Sequence, residues 1–228
     1  MTSDEGRVRG CEKELREICE AAGLSLGDRE VALCCRHLAL VFQWNRRMNL
    51  TRVREEEAVA KHLLDSLIPL PVLPPEGRVL DVGSGAGFPG VPLAVCRPRC
   101  GVTLLDASRK KTSFLKVAAA ELGLSQVKVV HGRLEDFAAG VLEESSFEGF
   151  QLITFRAVNP DPDLMGLLAR LATAGSGCIA YWAGARSGAR DAEEAARWEA
   201  LGLERLEDFH YDLPADLGRR TLIRWRRK

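Results

Sequence analysis

Several things are missing from this 228-residue chain, and each absence narrows the field. Formal net charge is zero, with 32 basic and 32 acidic residues, so only local patches could favour a polyanion. No apolar run approaches the about 20 residues of a membrane span. The polar, charged stretch from Met1 to Gly10 holds no secretory apolar segment, so a cytoplasmic protein is expected. There is no internal repeat and no low-complexity segment. The cysteines, Cys11, Cys19, Cys34, Cys35, Cys96, Cys100 and Cys178, include no Cys-x-x-Cys pair, and their number is odd. That pattern supplies no zinc cluster, so no metal is expected and the cysteines read as buried, reduced thiols. What remains is 46% hydrophobic and 28% charged, the composition of a globular protein with one ordinary α/β domain and a modest appendage.

The first third reads as helical. Leu15, Ile18, Cys19 and Ala22 recur at helical spacing, with Gly23 as a C-cap. A second helix is predicted after an N-cap at Asp28, and a third over about Glu55 to Leu67, with Glu55, Glu56 and Glu57 in its first turn. Pro69, Pro71, Pro74 and Pro75 break the pattern, which places a boundary between residues 1–74 and 75–228. Beyond it, strands are predicted at 78–82, 102–106, 127–130, 151–155 and 177–182, mostly alternating with helices. Two extended stretches near 206–213 and 221–225, joined through Pro214 to Gly218, suggest a terminal hairpin. The fold class is therefore α/β: a Rossmann-like, mostly parallel sheet with an antiparallel terminal strand, preceded by a helical segment.

Between the first predicted strand and its helix runs Asp81-Val82-Gly83-Ser84-Gly85-Ala86-Gly87-Phe88-Pro89-Gly90. Glycines there let the chain turn and let a ligand approach the backbone. Asp106 ends the second strand, where an acid accepts hydrogen bonds from a ribose diol. The spacing Gly85-x-Gly87-x-x-Gly90 also satisfies the dinucleotide fingerprint, so an NAD-dependent oxidoreductase is the rival reading. Asp81 favours S-adenosylmethionine, since an acid beside the crevice suits a cationic ligand and opposes a pyrophosphate. The terminal hairpin points the same way, because dinucleotide folds repeat a second βαβ half. A non-catalytic RNA-binding adaptor is a third reading, opposed by the intact Asp81, Gly83, Asp106 and Arg156.

The string DVGSGAGFPGVPL from Asp81 to Leu93 resembles the small-subunit (16S) ribosomal RNA guanine-N7 methyltransferase family, also called glucose-inhibited division protein B. Trp44-Asn45-Arg46-Arg47-Met48-Asn49-Leu50-Thr51 is similar to its tryptophan–asparagine signature, and Lys61-His62-Leu63-Leu64-Asp65-Ser66 to its histidine–aspartate helix. Leu104-Leu105-Asp106, Lys110-Lys111, Phe114-Leu115, Gly132 to Phe137 and Arg156-Ala157 follow in family order. The chain departs from the pattern at Phe155, where a small hydroxyl residue is usual, and at Ala183-Gly184, where a lysine–glycine pair is usual. The resemblance implies that Gly83 and Phe88 lie at the cofactor and that Leu134 and Glu135 flank its adenine. It implies that Arg156 faces both cofactor and substrate as the candidate catalytic residue.

Guanine N7 carries an in-plane lone pair, so its methylation needs positioning rather than a general base, and no Ser-His-Asp set is required. His62 and Asp65, one turn apart, read as a structural pair. The expected RNA contacts are Asn45, Arg46, Arg47, Asn49, Arg52, Lys110 and Lys111, in two clusters that also hold Arg54 and Arg109; Arg219, Arg220, Arg224, Arg226, Arg227 and Lys228 are a further basic run on a terminal strand, where charges usually face solvent. The expected partner is 16S ribosomal RNA or the 30S particle, with no membrane, and the protein is expected to be a monomer.

Overall fold

The structure is a computed structural model and describes residues 3–184 and 192–228. Helix α1 (Ser3–Ala21) and α2 (Asp28–Met48) come first. Gly27, not Asp28, occupies the N-cap of α2, and Asp28 begins the helix itself. The third predicted helix is three pieces in one continuous rod: α3 (Glu55–Ala58), a π-helical segment (Val59–Leu64) and α4 (Asp65–Leu67). The Asp65 N–H reaches back to the Ala60 carbonyl, a wider turn than the α-helix makes. A 3-10 turn at Leu70–Val72 leads into the sheet.

The rest is β1 (Arg78–Val82), α5 (Gly90–Cys96), β2 (Gly101–Asp106), α6 (Arg109–Glu121), β3 (Val127–His131), α7 (Leu134–Leu142), β4 (Leu152–Arg156), α8 (Pro162–Leu171), β5 (Cys178–Trp182), α9 (Ala192–Ala200), β6 (Leu203–Arg205), β7 (Phe209–Leu213) and β8 (Gly218–Arg227). The eight-stranded sheet runs β3-β2-β1-β4-β5-β8-β6, with β7 also on β8. The pairs from β3 through β5 are parallel, and β8 is antiparallel to β5, β6 and β7.

Alternation along the strands sends side chains to two cores. On one face Val79, Val102 and Leu104 pack with Leu15, Leu38, Leu63, Leu93 and Phe114, so the N-terminal helices share their core with the sheet. On the other, Leu80, Leu105, Ile153 and Ile179 pack with Met165, Leu168, Trp198 and Trp225.

The expectation of seven reduced thiols is corrected. Cys11 of α1 and Cys35 of α2 form a disulfide, with Cα atoms 5.7 Å apart across 24 positions of sequence. No Cys-x-x-Cys motif announces it, because helix packing makes the approach. The other five cysteines are free, and all but Cys96 are buried. Among the described residues no helix is long and apolar enough to cross a membrane, and no group of three or more His, Cys, Asp or Glu is placed to hold a metal.

Candidate active site

The predicted glycine loop lies at the carboxyl ends of β1 and β2. The Gly83 and Ser84 N–H groups both donate to the Leu105 carbonyl, at 2.8 and 3.0 Å, which ties the loop to the neighbouring strand. Gly83 has φ +68°, and a Cβ there would meet nothing within 4 Å. Its left-handed conformation suits glycine, and the empty space beside it lets a ligand reach the backbone. Asp106 fastens the loop's other end: Oδ2 accepts from Gly85 N–H at 2.9 Å and Oδ1 from Ser108 N–H at 2.7 Å. Each carboxylate oxygen can accept more than one hydrogen bond, so a ribose diol could still be received.

Asp81 is buried beneath the loop, with Oδ1 accepting from Thr154 Oγ1 at 2.8 Å and Oδ2 without a partner. Burial pushes its carboxyl up to about 6, against the Thr154 hydrogen bond that favours the charged form. A buried acid with one unsatisfied oxygen at this position fits a cationic ligand, whose charge would lower that pKa again.

Phe88 is 3% exposed and packs against two histidines. The His62 ring stacks on it at 4.4 Å and 2°, and His37 lies at 4.6 Å with a 42° tilt. His37 Nε2 is 2.9 Å from the Ala86 carbonyl, so that nitrogen carries the proton. Burial lowers His37 to about 4 and His62 to about 3, the latter helped by the Arg156 charge. Both are therefore neutral supports of the loop at physiological pH. Sequence reading passed over His37 because a buried histidine inside an apolar helix face carries no motif.

Arg156 ends β4. Its guanidinium carbon is 5.8 Å from the Phe88 ring centre, and Nη1 donates to Asp65 Oδ2 at 3.3 Å. The expected His62–Asp65 pair does not form, since His62 Nε2 engages Thr51 Oγ1 at 2.8 Å while Asp65 engages Arg156 and Tyr211. The π-helical segment turns the two side chains to different neighbours. Leu134 and Glu135 open α7 just past the end of β3; Leu134 is buried, and Glu135 is exposed. Of the departures noted above, Phe155 is fully buried and stacked on Tyr181 at 4.8 Å.

The two predicted basic clusters meet. Arg36 in the middle of α2 pairs with Glu121 at the end of α6, and Trp44, further along α2, packs edge-on against Phe114 at 5.7 Å. The helices are thus antiparallel, which sets the carboxyl end of α2 beside the start of α6. Arg46, Arg47, Arg52, Arg109 and Lys110 are exposed, and Lys111 is half-buried with Nζ 4.0 Å from Asp106 Oδ2. Asn45 turns inward: its carboxamide bonds both the N–H and the carbonyl of Thr51, at 2.9 and 3.0 Å. Asn49 caps α2 in the left-handed conformation, φ 50°, which asparagine tolerates. Arg54 pairs with Glu56 and Glu57. Arg224 and Arg227 bond backbone carbonyls, and Arg226 and Lys228 stay exposed but pair with Glu204 and Glu199.

A parallel sheet that ends in antiparallel strands, with a glycine loop after β1 and acids ending β1 and β2, is the Rossmann-like fold of S-adenosylmethionine-dependent methyltransferases, and not the all-parallel double βαβ of dinucleotide enzymes. Solved structures agree on the fold. An O-methyltransferase from Bacillus cereus in complex with SAH matches with a TM-score of 0.62 at 17% identity, over 97% of this chain and 100% of that one. Magnesium protoporphyrin IX methyltransferase from Synechocystis, with bound SAM, matches with a TM-score of 0.56 at 14% identity, over 90% and 99%.

Residues 31–208 match the GidB family, rRNA small subunit methyltransferase G, and the chain belongs to that family. Ribosomal RNA small subunit methyltransferase G 1 of Syntrophobacter fumaroxidans is 39% identical over 213 residues, 93% of this chain and 94% of the relative. Ribosomal RNA small subunit methyltransferase G of Solibacter usitatus is 38% identical over 197 residues, 86% and 90%.

Proposed function

We propose that this protein transfers a methyl group from S-adenosylmethionine to N7 of a guanine in 16S ribosomal RNA, acting in the cytoplasm as a monomer. The observation that carries the reading is a juxtaposition: an open Gly83 and a half-satisfied buried Asp81 lie at the end of β1, and Asp106, which holds the same loop at Gly85, is 4.0 Å from Lys111 of the basic cluster.

Gly83, Gly85 and Phe88 would hold the cofactor, with Asp81 on its cationic side, Asp106 at the ribose, and Leu134 and Glu135 at the adenine. Bound there, S-adenosylmethionine supplies an electrophilic methyl on a positively charged sulfur. The protein's part is then positional. Arg46, Arg47, Arg52, Lys110 and Lys111 hold phosphates, and their contribution falls as salt rises. Arg156, 24% exposed at the end of β4, faces an unstacked guanine that has left its base stack. The guanine N7 lone pair needs no base, so neutral His37 and His62 shape the floor and move no proton. Holding N7 in line, away from water, can lower the barrier by about 7–11 kcal/mol. Residues 1–74 act as the substrate-side cover and residues 75–228 as the methyltransferase fold, with one core between them.

Incubation with labelled S-adenosylmethionine and either 30S particles or naked 16S RNA lacking the modification tests the reading. Label at guanine N7 is expected in one or both. Label at another atom or none, with bound cofactor, would reject the substrate; tight NADH binding without S-adenosylhomocysteine binding would reject the cofactor.

A further inference from the structure

Asp65 is unused by the mechanism above, yet it sits at the centre of the most connected polar cluster near the site. It is 4% exposed. Oδ2 accepts from Arg156 Nη1 at 3.3 Å, Oδ1 accepts from Tyr211 Oη at 2.7 Å, and Arg220 Nε lies 3.8 Å from Oδ1. The Asp65 backbone carbonyl accepts from Trp182 Nε1 at 2.9 Å and from Tyr211 Oη at 3.2 Å. The carboxylate therefore joins α4 to β4, β7 and β8 and faces two guanidinium groups, while the backbone carbonyl of the same residue ties β5. Burial raises its pKa, opposed by Arg156, Tyr211 and Arg220, all of which favour the carboxylate.

A buried carboxylate is costly unless it is paired, and a cation beside a cation-binding crevice is costly unless it is neutralised. Arg156 lies close enough to influence both Asp81 and His62. The reaction proposed above, on which this inference rests, keeps one positive charge in the crevice throughout. The N7 lone pair forms the new N–C bond, the S–C pair returns to sulfur, and the charge passes from sulfonium to purine. An uncompensated Arg156 would repel that charge at either end of the transfer.

We propose that Asp65 is an electrostatic positioning residue: it fixes the Arg156 guanidinium at the reacting end of the sheet and offsets its charge, so that a cationic methyl donor is accepted beside it. Arg220 shares the same carboxylate and weakens the offset. The C-terminal hairpin thereby tunes a crevice built mainly from β1, β2 and β4.

The test compares two ligands of the intact protein by calorimetry. S-adenosylmethionine and S-adenosylhomocysteine differ by one methyl and the sulfonium charge, so the ratio of their affinities reads local charge. Asp65→Asn should lower S-adenosylmethionine affinity roughly tenfold more than S-adenosylhomocysteine affinity. Adding Arg156→Gln to that variant should return the ratio towards the wild-type value. Arg220→Gln, on a partly exposed strand position, should shift the ratio the other way, favouring the charged ligand by several-fold. Should Asp65→Asn fail to fold, Arg220→Gln decides alone. Proportional loss of both ligands in Asp65→Asn, or an unchanged ratio in Arg220→Gln, would make Asp65 a purely structural tie and overturn the proposal. If the wild-type protein binds neither ligand, the methyl-transfer reading itself fails, and this inference falls with it.

Discussion

Two glycines of the same loop should fail in different ways. Gly83 has φ +68° and open space where a Cβ would stand. Alanine there costs about 1–2 kcal/mol of left-handed strain. At about 2–4 °C per kcal/mol for a chain of this size, the midpoint should fall by about 2–8 °C. At Gly90 the backbone is ordinary, but a Cβ would stand 2.6 Å from Asp81 Oδ2 and 3.0 Å from Asp81 Cβ, and would also strike Leu104. Overpacking of that kind costs about 1–3 kcal/mol, or about 2–12 °C. Melting alone does not separate the two variants; the ligand-induced shift does. S-adenosylhomocysteine at about 100 times its Kd adds about 2.7 kcal/mol, so the wild-type midpoint should rise by about 5–11 °C. In Gly83→Ala the methyl occupies the ligand's space, and a tenfold weaker Kd cuts that rise to about half; Gly83→Val should abolish it. In Gly90→Ala the methyl points towards Leu104 and Asp81 rather than into the open space beside Gly83, so binding weakens only as far as Asp81 is displaced and a larger part of the rise should survive. Thermal scans with and without ligand make the comparison. A full shift in Gly83→Ala would show that the loop is not the binding surface.

Arg156→Ala should reduce methyl transfer more than cofactor affinity, and equal loss of both would move Arg156 to the cofactor side. Asp81 has a folded pKa of about 6 against an ordinary 3.8, so its contribution to stability is full below pH 3.8 and is lost as pH rises through about 6. His37 and His62, lowered from 6.5 to about 4 and about 3, act oppositely: their contribution is full above pH 6.5 and is lost on acidification. Asp81→Asn should therefore be more stable than wild type at pH 7 in urea titrations, with a steeper fall towards pH 5; no gain at pH 7 would contradict the burial argument. Under denaturing conditions without reductant, five thiols should react, rising to seven after reduction, and seven before reduction would remove the Cys11–Cys35 bond.

The strand–helix alternation was legible because β1 to β5 are apolar runs with turn residues between them, and a buried parallel strand needs little else. The first acid-to-glycine loop and Asp106 were legible because local spacing encodes them. Strand β6 escaped because three residues, Leu203–Arg205, carry no alternation. The π-helical segment escaped because its apolar pattern is the same as that of an α-helix. The Asp65 cluster joins residues 91 and 146 positions apart, a relation that only the sheet order creates. Motif spacing likewise could not show that Asn45 is committed to Thr51, or that the two basic clusters are neighbours.

The packing of two histidines on Phe88 bears on whether the glycine loop can be transplanted. The two rings come from α2 and from the π-helical segment, and the His37–Ala86 bond crosses 49 positions to reach the loop. A fragment beginning at residue 75 would keep every glycine of the loop and both acids, yet the loop would have lost the two rings that pack on Phe88. Anyone grafting this loop into another scaffold, or trimming the chain to a minimal enzyme, would have to carry α2 and the π-helical segment along to keep the loop's packing.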